Sequence, residues 1–293
     1  MYNNVKRKIG GVVMHKVYFH LQKGGTGRSL SLYHVACALG ELFNKRVLII
    51  DLDAQKNISF LFGVNGDDIV RNGGYSIAHA LFDNINTNKE RKNLKDCIIK
   101  DVAPNVDLVC SSSHMANAEM YITQEQMNGH LLLSWALENI EDDYDYVFFD
   151  SDGTYNKVCV NCIAATDLLI PVAKTDFQCS HRLVETVNLL RNLAKKNKLN
   201  IDFGGILCTM YENTGHSNMF MEYVKEYGFE VWGVIKRQVA MQDAGACRIP
   251  IYKYAPSNQG SWGIINFIHR LLKHYDEDFA IPLDKKYRHK KEY

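Results

Sequence analysis

Seven short apolar runs rich in Val, Ile and Phe recur along the chain, at Val17–Leu21, Val47–Ile50, Val106–Cys110, Tyr146–Phe149, Leu168–Val172, Gly205–Cys208 and Val231–Ile235. Between them lie segments with a helical apolar period, among them Ser29–Phe43, Gln124–Ile140, Ser180–Lys195 and Ser217–Tyr227. A strand that is apolar on both sides of its pleat has no face to give to water, so helices must cover it above and below. The expected fold class is therefore α/β: a doubly wound, mainly parallel sheet with helices on both faces. Ligands in such sheets lie beyond the carboxyl ends of the strands, which makes the residues following each run the informative ones.

A chain of 293 residues, 46% hydrophobic, has enough apolar content for one large domain of this kind. Residues 1–15 read as an N-terminal extension, with Met14 a possible alternative start. Residues 16–275 read as a single domain carrying a polar, helical excursion at about 63–101, and residues 276–293 as an acidic, then basic, tail. The 34 Lys and Arg balance 33 Asp and Glu, so attraction to nucleic acid has to come from a local patch; Arg237, Arg248, Lys253 and the tail are the candidates. Eight cysteines without regular spacing read as thiols of a reducing compartment. With no apolar run near the roughly 18 residues of a spanning helix, the expected location is the cytoplasm, without stable membrane association.

The first run leads into Lys23-Gly24-Gly25-Thr26-Gly27-Arg28-Ser29-Leu30, and an apolar helix follows at once. This is the strand, glycine loop and helix of a P-loop, in which backbone amides and the positive end of the helix cradle phosphate. Against the usual G-x-x-x-x-G-K-[ST] pattern, Arg28 stands where the phosphate-reaching lysine is expected, and Ser29 supplies the hydroxyl that Mg²⁺ favours. The second run ends in Asp51-Leu52-Asp53 and the fourth in Asp150. A glycine loop, an Asp pair and a lone Asp at three strand ends supply a phosphate cradle, a water-positioning acid and an acid for the metal's water shell.

These residues resemble the ParA/MinD family of deviant P-loop ATPases, whose loop reads K-G-G-x-G-K-[ST]-T and whose second motif reads D-x-D-P-Q-x-N. The resemblance extends through Ala165–Val172, Gly205–Tyr211, Val234–Ala244 and Pro250-Ile251, and is nearer to plasmid and chromosome partition proteins of the ParA and Soj kind than to MinD. It implies ATP and Mg²⁺ as cofactors, held by the loop from Lys23 through Leu30. Lys23 becomes the lysine that crosses a dimer interface to the partner's phosphates, and Asp53 the group that polarises the attacking water. Ser29 and Asp150 would serve the metal, directly and through water, and Asp51 would support the loop or the metal's water shell. Met210, Tyr211 and Arg237 fall where the family holds adenine. The implied function is an ATP-binding dimerisation switch for DNA partitioning, with slow Mg²⁺-dependent hydrolysis. Its partners would be a second copy, non-specific DNA and a ParB-like adaptor.

The chain departs from the pattern at Arg28, at Ala54 for proline, at Leu30 for threonine, and at Asp152-Gly153 where the family has two prolines. Arginine keeps the charge but replaces a compact ammonium with a wide planar fork, so a non-hydrolysing nucleotide-binding scaffold is the alternative. Cys159 and Cys162 form a C-x-x-C that raises a second alternative, an iron–sulfur or electron-transfer relative; with no second pair, buried thiols are the preferred reading. The apolar face of Trp262–Leu272 reads as a core helix rather than a membrane anchor.

Overall fold

The structure, a computed structural model, describes residues 13–83, 85, 90–125 and 128–277. Its first half contains β1 (His15–His20), α1 (Arg28–Leu42), β2 (Val47–Asp51), α2 (Asn57–Leu61), α3 (Gly66–Arg71), α4 (Ile77–Leu81), β3 (Ile98–Ala103), β4 (Val106–Val109), α5 (Ala118–Gln124) and α6 (Leu132–Leu137). The second half continues with β5 (Tyr146–Asp150), α7 (Lys157–Ala164), β6 (Leu168–Lys174), α8 (Phe177–Lys196), β7 (Asp202–Phe203), β8 (Ile206–Tyr211), α9 (Gly215–Glu226), β9 (Val231–Lys236), α10 (Val239–Ala246), α11 (Ile251–Tyr254) and α12 (Gln259–His274).

The nine strands form one sheet in the order β3-β4-β2-β5-β1-β6-β8-β9, with β7 also on β6. Pairing is parallel throughout except between β3 and β4. Alternation along a strand divides the core between the two faces. Val17 and Phe19 of β1 and Ile49 of β2 pack with α1 and α12, while Tyr18, Leu48 and Ile50 pack with α4, α5, α6 and α7. Both faces are thus buried, as the unbroken apolar runs require. Helix α12 is a core helix: Ile264, Phe267, Ile268, Leu271 and Leu272 are fully buried.

Three details differ from the sequence reading. Strand β3 was not among the seven runs, because this antiparallel edge carries Lys100 and Asp101 exposed between half-buried neighbours. The helix expected over Gln124–Ile140 is broken, with α5 ending at Gln124 and α6 starting at Leu132. A Cβ at Gly129 would lie 2.4 Å from the Ile122 carbonyl oxygen, so the chain turns back there on contact with α5. At the ends, Met14 is buried, and Glu277 accepts a hydrogen bond from the Tyr146 hydroxyl (2.9 Å) and pairs with Lys45. The domain therefore takes in residues assigned from sequence to the extension and the tail; the remaining extension and tail residues lie outside the described ones.

Phe267 packs against Phe19 and Trp232 in the larger half of the core. Phe267→Ala is expected to lower unfolding free energy by about 3–5 kcal/mol in urea titrations; a loss under about 1 kcal/mol would show that α12 does not close the core.

Candidate nucleotide site

β1 lies between β5 and β6, so the loop leaving its carboxyl end sits at the centre of the sheet's upper edge. Gly25 and Gly27 adopt φ of +72° and +74°, a region costly for any residue with a Cβ. Gly27 is the N-cap of α1 and no side chain caps that helix, which leaves the amides of its first turn without partners in the helix. The outer side of the loop is fixed by Thr209, whose hydroxyl donates to the Thr26 carbonyl (2.6 Å). The result is a concave row of amides at a helix N-terminus, suited to an anion.

The loop forms one wall of an open cleft of about 750 Å³ lined by all of Lys23 through Leu30, together with Asp53, Asp152, Gly153, Phe60, Gln242 and Arg248. Met210, Tyr211 and Arg237 do not line it. Met210 instead approaches Gly27 from the other side, its methyl 3.5 Å from where a Cβ would be. The Tyr211 hydroxyl bonds Asn218 (3.1 Å), and Arg237 lies 3.6 Å from Glu212. The far wall, Phe60, Gln242 and Arg248, was not anticipated; these residues come from α2, α10 and the turn after α10, and carry no shared local motif.

The three strand-end carboxylates have different surroundings. Asp51 is fully buried. Its Oδ1 accepts the Asp53 amide (3.0 Å), and its Oδ2 accepts the Ser59 amide (3.1 Å) and hydroxyl (2.6 Å). Burial, with Asp150 alongside, pushes its pKa up to about 8. It folds the segment from β2 into α2. Asp53 lies on the cleft, one oxygen accepting the Gln55 amide (2.8 Å); burial raises its pKa. Asp150 is fully buried and absent from the cleft wall.

Arg28 stands between Asp150 and the cleft. Its Nε donates to Asp150 Oδ1 at 3.0 Å, and its Nη2 to the Ser151 carbonyl. Burial works against this charge, but Asp150 beside it more than compensates and its pKa is raised. Lys23 is also held within the chain: its Nζ lies 3.2 Å from Asp176 Oδ1 and 3.4 Å from Gln178 Oε1. Asp176 is the N-cap of α8. Gly153 lets the following loop lie flat on the cradle, since a Cβ there would come within 2.9 Å of the Lys23 carbonyl. Among the described residues, no group of three or more His, Cys, Asp or Glu is arranged to hold a metal ion.

Beneath Arg28 the Tyr18 hydroxyl bonds His20 Nδ1 (2.8 Å) and Ser151 Oγ (2.6 Å). The Cys159 thiol lies 3.7 Å from His20 Nε2. All eight cysteines are free, and Cys159 and Cys162 are buried; burial pushes the Cys159 thiol up to about 12, so it stays protonated.

The sheet, the glycine loop and the charged groups around it define a P-loop nucleotide-binding protein. An AAA domain family matches residues 14–201. The chain is 24% identical over 243 residues to the sporulation initiation inhibitor protein Soj of Bacillus subtilis, covering 82% of this chain and 91% of Soj. Its fold is similar to an ATP complex of Cyanothece McdA (TM-score 0.79, 16% identity, 92% of this chain and 100% of that one). It is likewise similar to MinD of Pyrococcus horikoshii with Mg-ADP (TM-score 0.71, 17% identity, 89% and 97%). The chain belongs to the matched family, as an ATPase of the ParA/MinD type. No helix among the described residues is long and apolar enough to cross a membrane.

Burial, and secondarily the Arg28 charge, lowers His20 from 6.5 to about 3. A group whose folded pKa is depressed is fully stabilising above its unfolded value, and that contribution is lost as pH falls through the window from about 6.5 toward 3. His20→Gln is therefore expected to remove up to ~1.4 kcal/mol per pH unit from the acid slope of stability, read by denaturant titration between pH 7 and pH 5. Identical slopes would mean that His20 is solvated.

Proposed function

We propose that this chain is an ATP-driven dimerisation switch of the ParA type, used to partition DNA or position another cell structure, with turnover held low by Arg28. The dimer would engage DNA non-specifically, together with a ParB-like adaptor, in the cytoplasm. The observation that carries this reading is the position of Lys23. It stands on the rim of the cradle, a quarter exposed, and its partner Asp176 is also accessible. Such a pair is worth about 1 kcal/mol or less, so a phosphate presented by a second copy can displace Asp176. Nucleotide favours the dimer because the lysine-to-phosphate contact exists only there, and this differential affinity shifts the equilibrium.

Two expected roles follow from position on the cleft wall. Asp53 is the strand-end acid on the cleft wall, and is proposed to position the attacking water. Ser29, also on the cleft wall, is the hydroxyl proposed for the metal. The adenine is proposed to lie beyond Gly27 on the Met210 side, with Tyr211 and Arg237 at its edge. The pairing of Arg28 with Asp150 favours a second reading, a nucleotide-binding scaffold without turnover, since that guanidinium is turned to β5. Of the basic DNA candidates, Lys253 pairs with Glu41 (2.6 Å), Arg237 with Glu212, and Arg248 lines the cleft. A DNA contact by these residues would require the dimer to rearrange those pairs.

Light scattering after size-exclusion chromatography tests the switch. The natural chain is expected to pass from monomer to dimer on ATP and Lys23→Ala to remain a monomer; equal dimerisation of both would refute the role given to Lys23. Arg28→Lys is expected to raise phosphate release by tenfold or more, and an unchanged rate would acquit Arg28 as the brake. Retention of the ATP-loaded protein on duplex DNA is expected to fall steeply with salt.

A further inference from the structure

Among the described residues, three cations line the cleft: Lys23, Arg28 and Arg248. Lys23 is paired with Asp176, and Arg28 is turned to Asp150 and the Ser151 carbonyl, so each is committed to a carboxylate of its own chain. Arg248 is different. It is exposed, and its side chain has neither a hydrogen bond nor an ion pair among the described residues.

Its place follows from how α10 ends. The Arg248 amide donates to the Gly245 carbonyl (3.0 Å) and the Ile249 amide to the Ala244 carbonyl (2.9 Å), the paired bonds of a helix end that passes through left-handed backbone. Arg248 holds that left-handed position with φ of +54°, where glycine is favoured because it lacks a Cβ. The ends of α2 and α9 use Gly63 and Gly228 there, while those of α8 and α12 use Lys198 and Asp276. Of the non-glycine residues with positive φ among the described ones, Arg248 alone lines the cleft.

Two close approaches hold it beside the cradle. A Cβ at Gly245 would come 2.6 Å from Leu30 Cδ1, so α10 packs directly on the first turn of α1. A Cβ at Gly63 would lie 3.1 Å from Arg248 Nη1, so the guanidinium rests over bare backbone just after α2. It shares that far wall with Phe60 of α2, the helix that follows Asp53. A guanidinium keeps its charge at physiological pH, and its planar fork holds phosphate oxygens through two parallel N–H bonds.

We propose that Arg248 binds the γ-phosphate of ATP from across the cleft, taking up a contact that the lysine missing from position 28 makes in the usual loop. The inference rests on the nucleotide reading above and deepens it by naming the residue that tells ATP from ADP. The loop amides meet phosphates that both nucleotides carry, whereas a cation on the opposite wall meets only the phosphate that ATP adds. Because Arg248 has no carboxylate to release, this contact forms without breaking an ion pair.

Isothermal titration of the full-length chain with ADP and with a non-hydrolysable ATP analogue, in millimolar Mg²⁺, tests this. The titrations are made in the natural chain and in Lys23→Ala, so that nucleotide-driven dimerisation does not supply the preference. Lys23→Ala is expected to bind the analogue at least tenfold more tightly than ADP; a smaller preference overturns the inference while leaving nucleotide binding in place. Adding Arg248→Gly or Arg248→Asn, both suited to left-handed backbone and checked for folding by thermal transition, is expected to cut that preference at least fivefold with ADP affinity held within threefold. A smaller cut, or an ADP affinity that falls further, means that Arg248 does not read the γ-phosphate. Binding of neither nucleotide by the natural chain would sink the nucleotide reading and this inference with it.

Discussion

A guanidinium taken out of water needs a counter-charge held beside it, and the contact between Arg28 and Asp150 meets that need at the point where the phosphate loop meets the sheet. Arg28 is the first residue of α1 and Asp150 the last of β5, so one side chain ties the helix that would receive phosphate to the strand next to β1. Removing one partner of such a buried pair typically costs about 3–5 kcal/mol, because the other charge is left uncompensated. The pair also fixes the carbonyl of Ser151, and through the Ser151 hydroxyl it meets the buried Tyr18 and His20. Loop, strand end and the layer beneath them are held as one unit.

Lys23 completes the same pattern on the opposite side of the loop. Each cation of the cradle has a carboxylate in its own chain, Asp150 for Arg28 and Asp176 for Lys23. The two pairs differ in burial, and that difference assigns their behaviour. The partly exposed pair is weak enough to be exchanged for a ligand or a second copy. The buried pair is kept, because any replacement must restore both its charge balance and its two hydrogen bonds. A switch can be built from the first, and the second supplies a fixed platform for it.

Much of this was legible in the sequence. Apolar runs without a polar face announced a sheet covered on both sides, and the division of Val17, Tyr18 and Phe19 between two core layers is the physical form of that signal. The glycine loop was legible because left-handed backbone and helix N-terminus leave a local trace. β3 and the break at Gly129 were not, since a half-exposed edge strand has weak periodicity and the break depends on contact with Ile122. At the site, acids at strand ends could be located but their partners could not. Asp51 and Asp53 are two residues apart, yet one is sealed by Ser59 and the other opens to the cleft. The direction taken by Arg28 depends on Asp150, 122 residues away.

Where Arg28 points when nucleotide is present decides between a fixed cation and a brake that swings aside. A crystal structure of the natural chain with a non-hydrolysable ATP analogue measures this directly. Triphosphate is expected over Gly24–Ser29, with Arg28 Nε still within hydrogen-bonding distance of Asp150 Oδ1. Arg28 swung away from β5, with Asp150 facing a metal ion in the cleft, would contradict it.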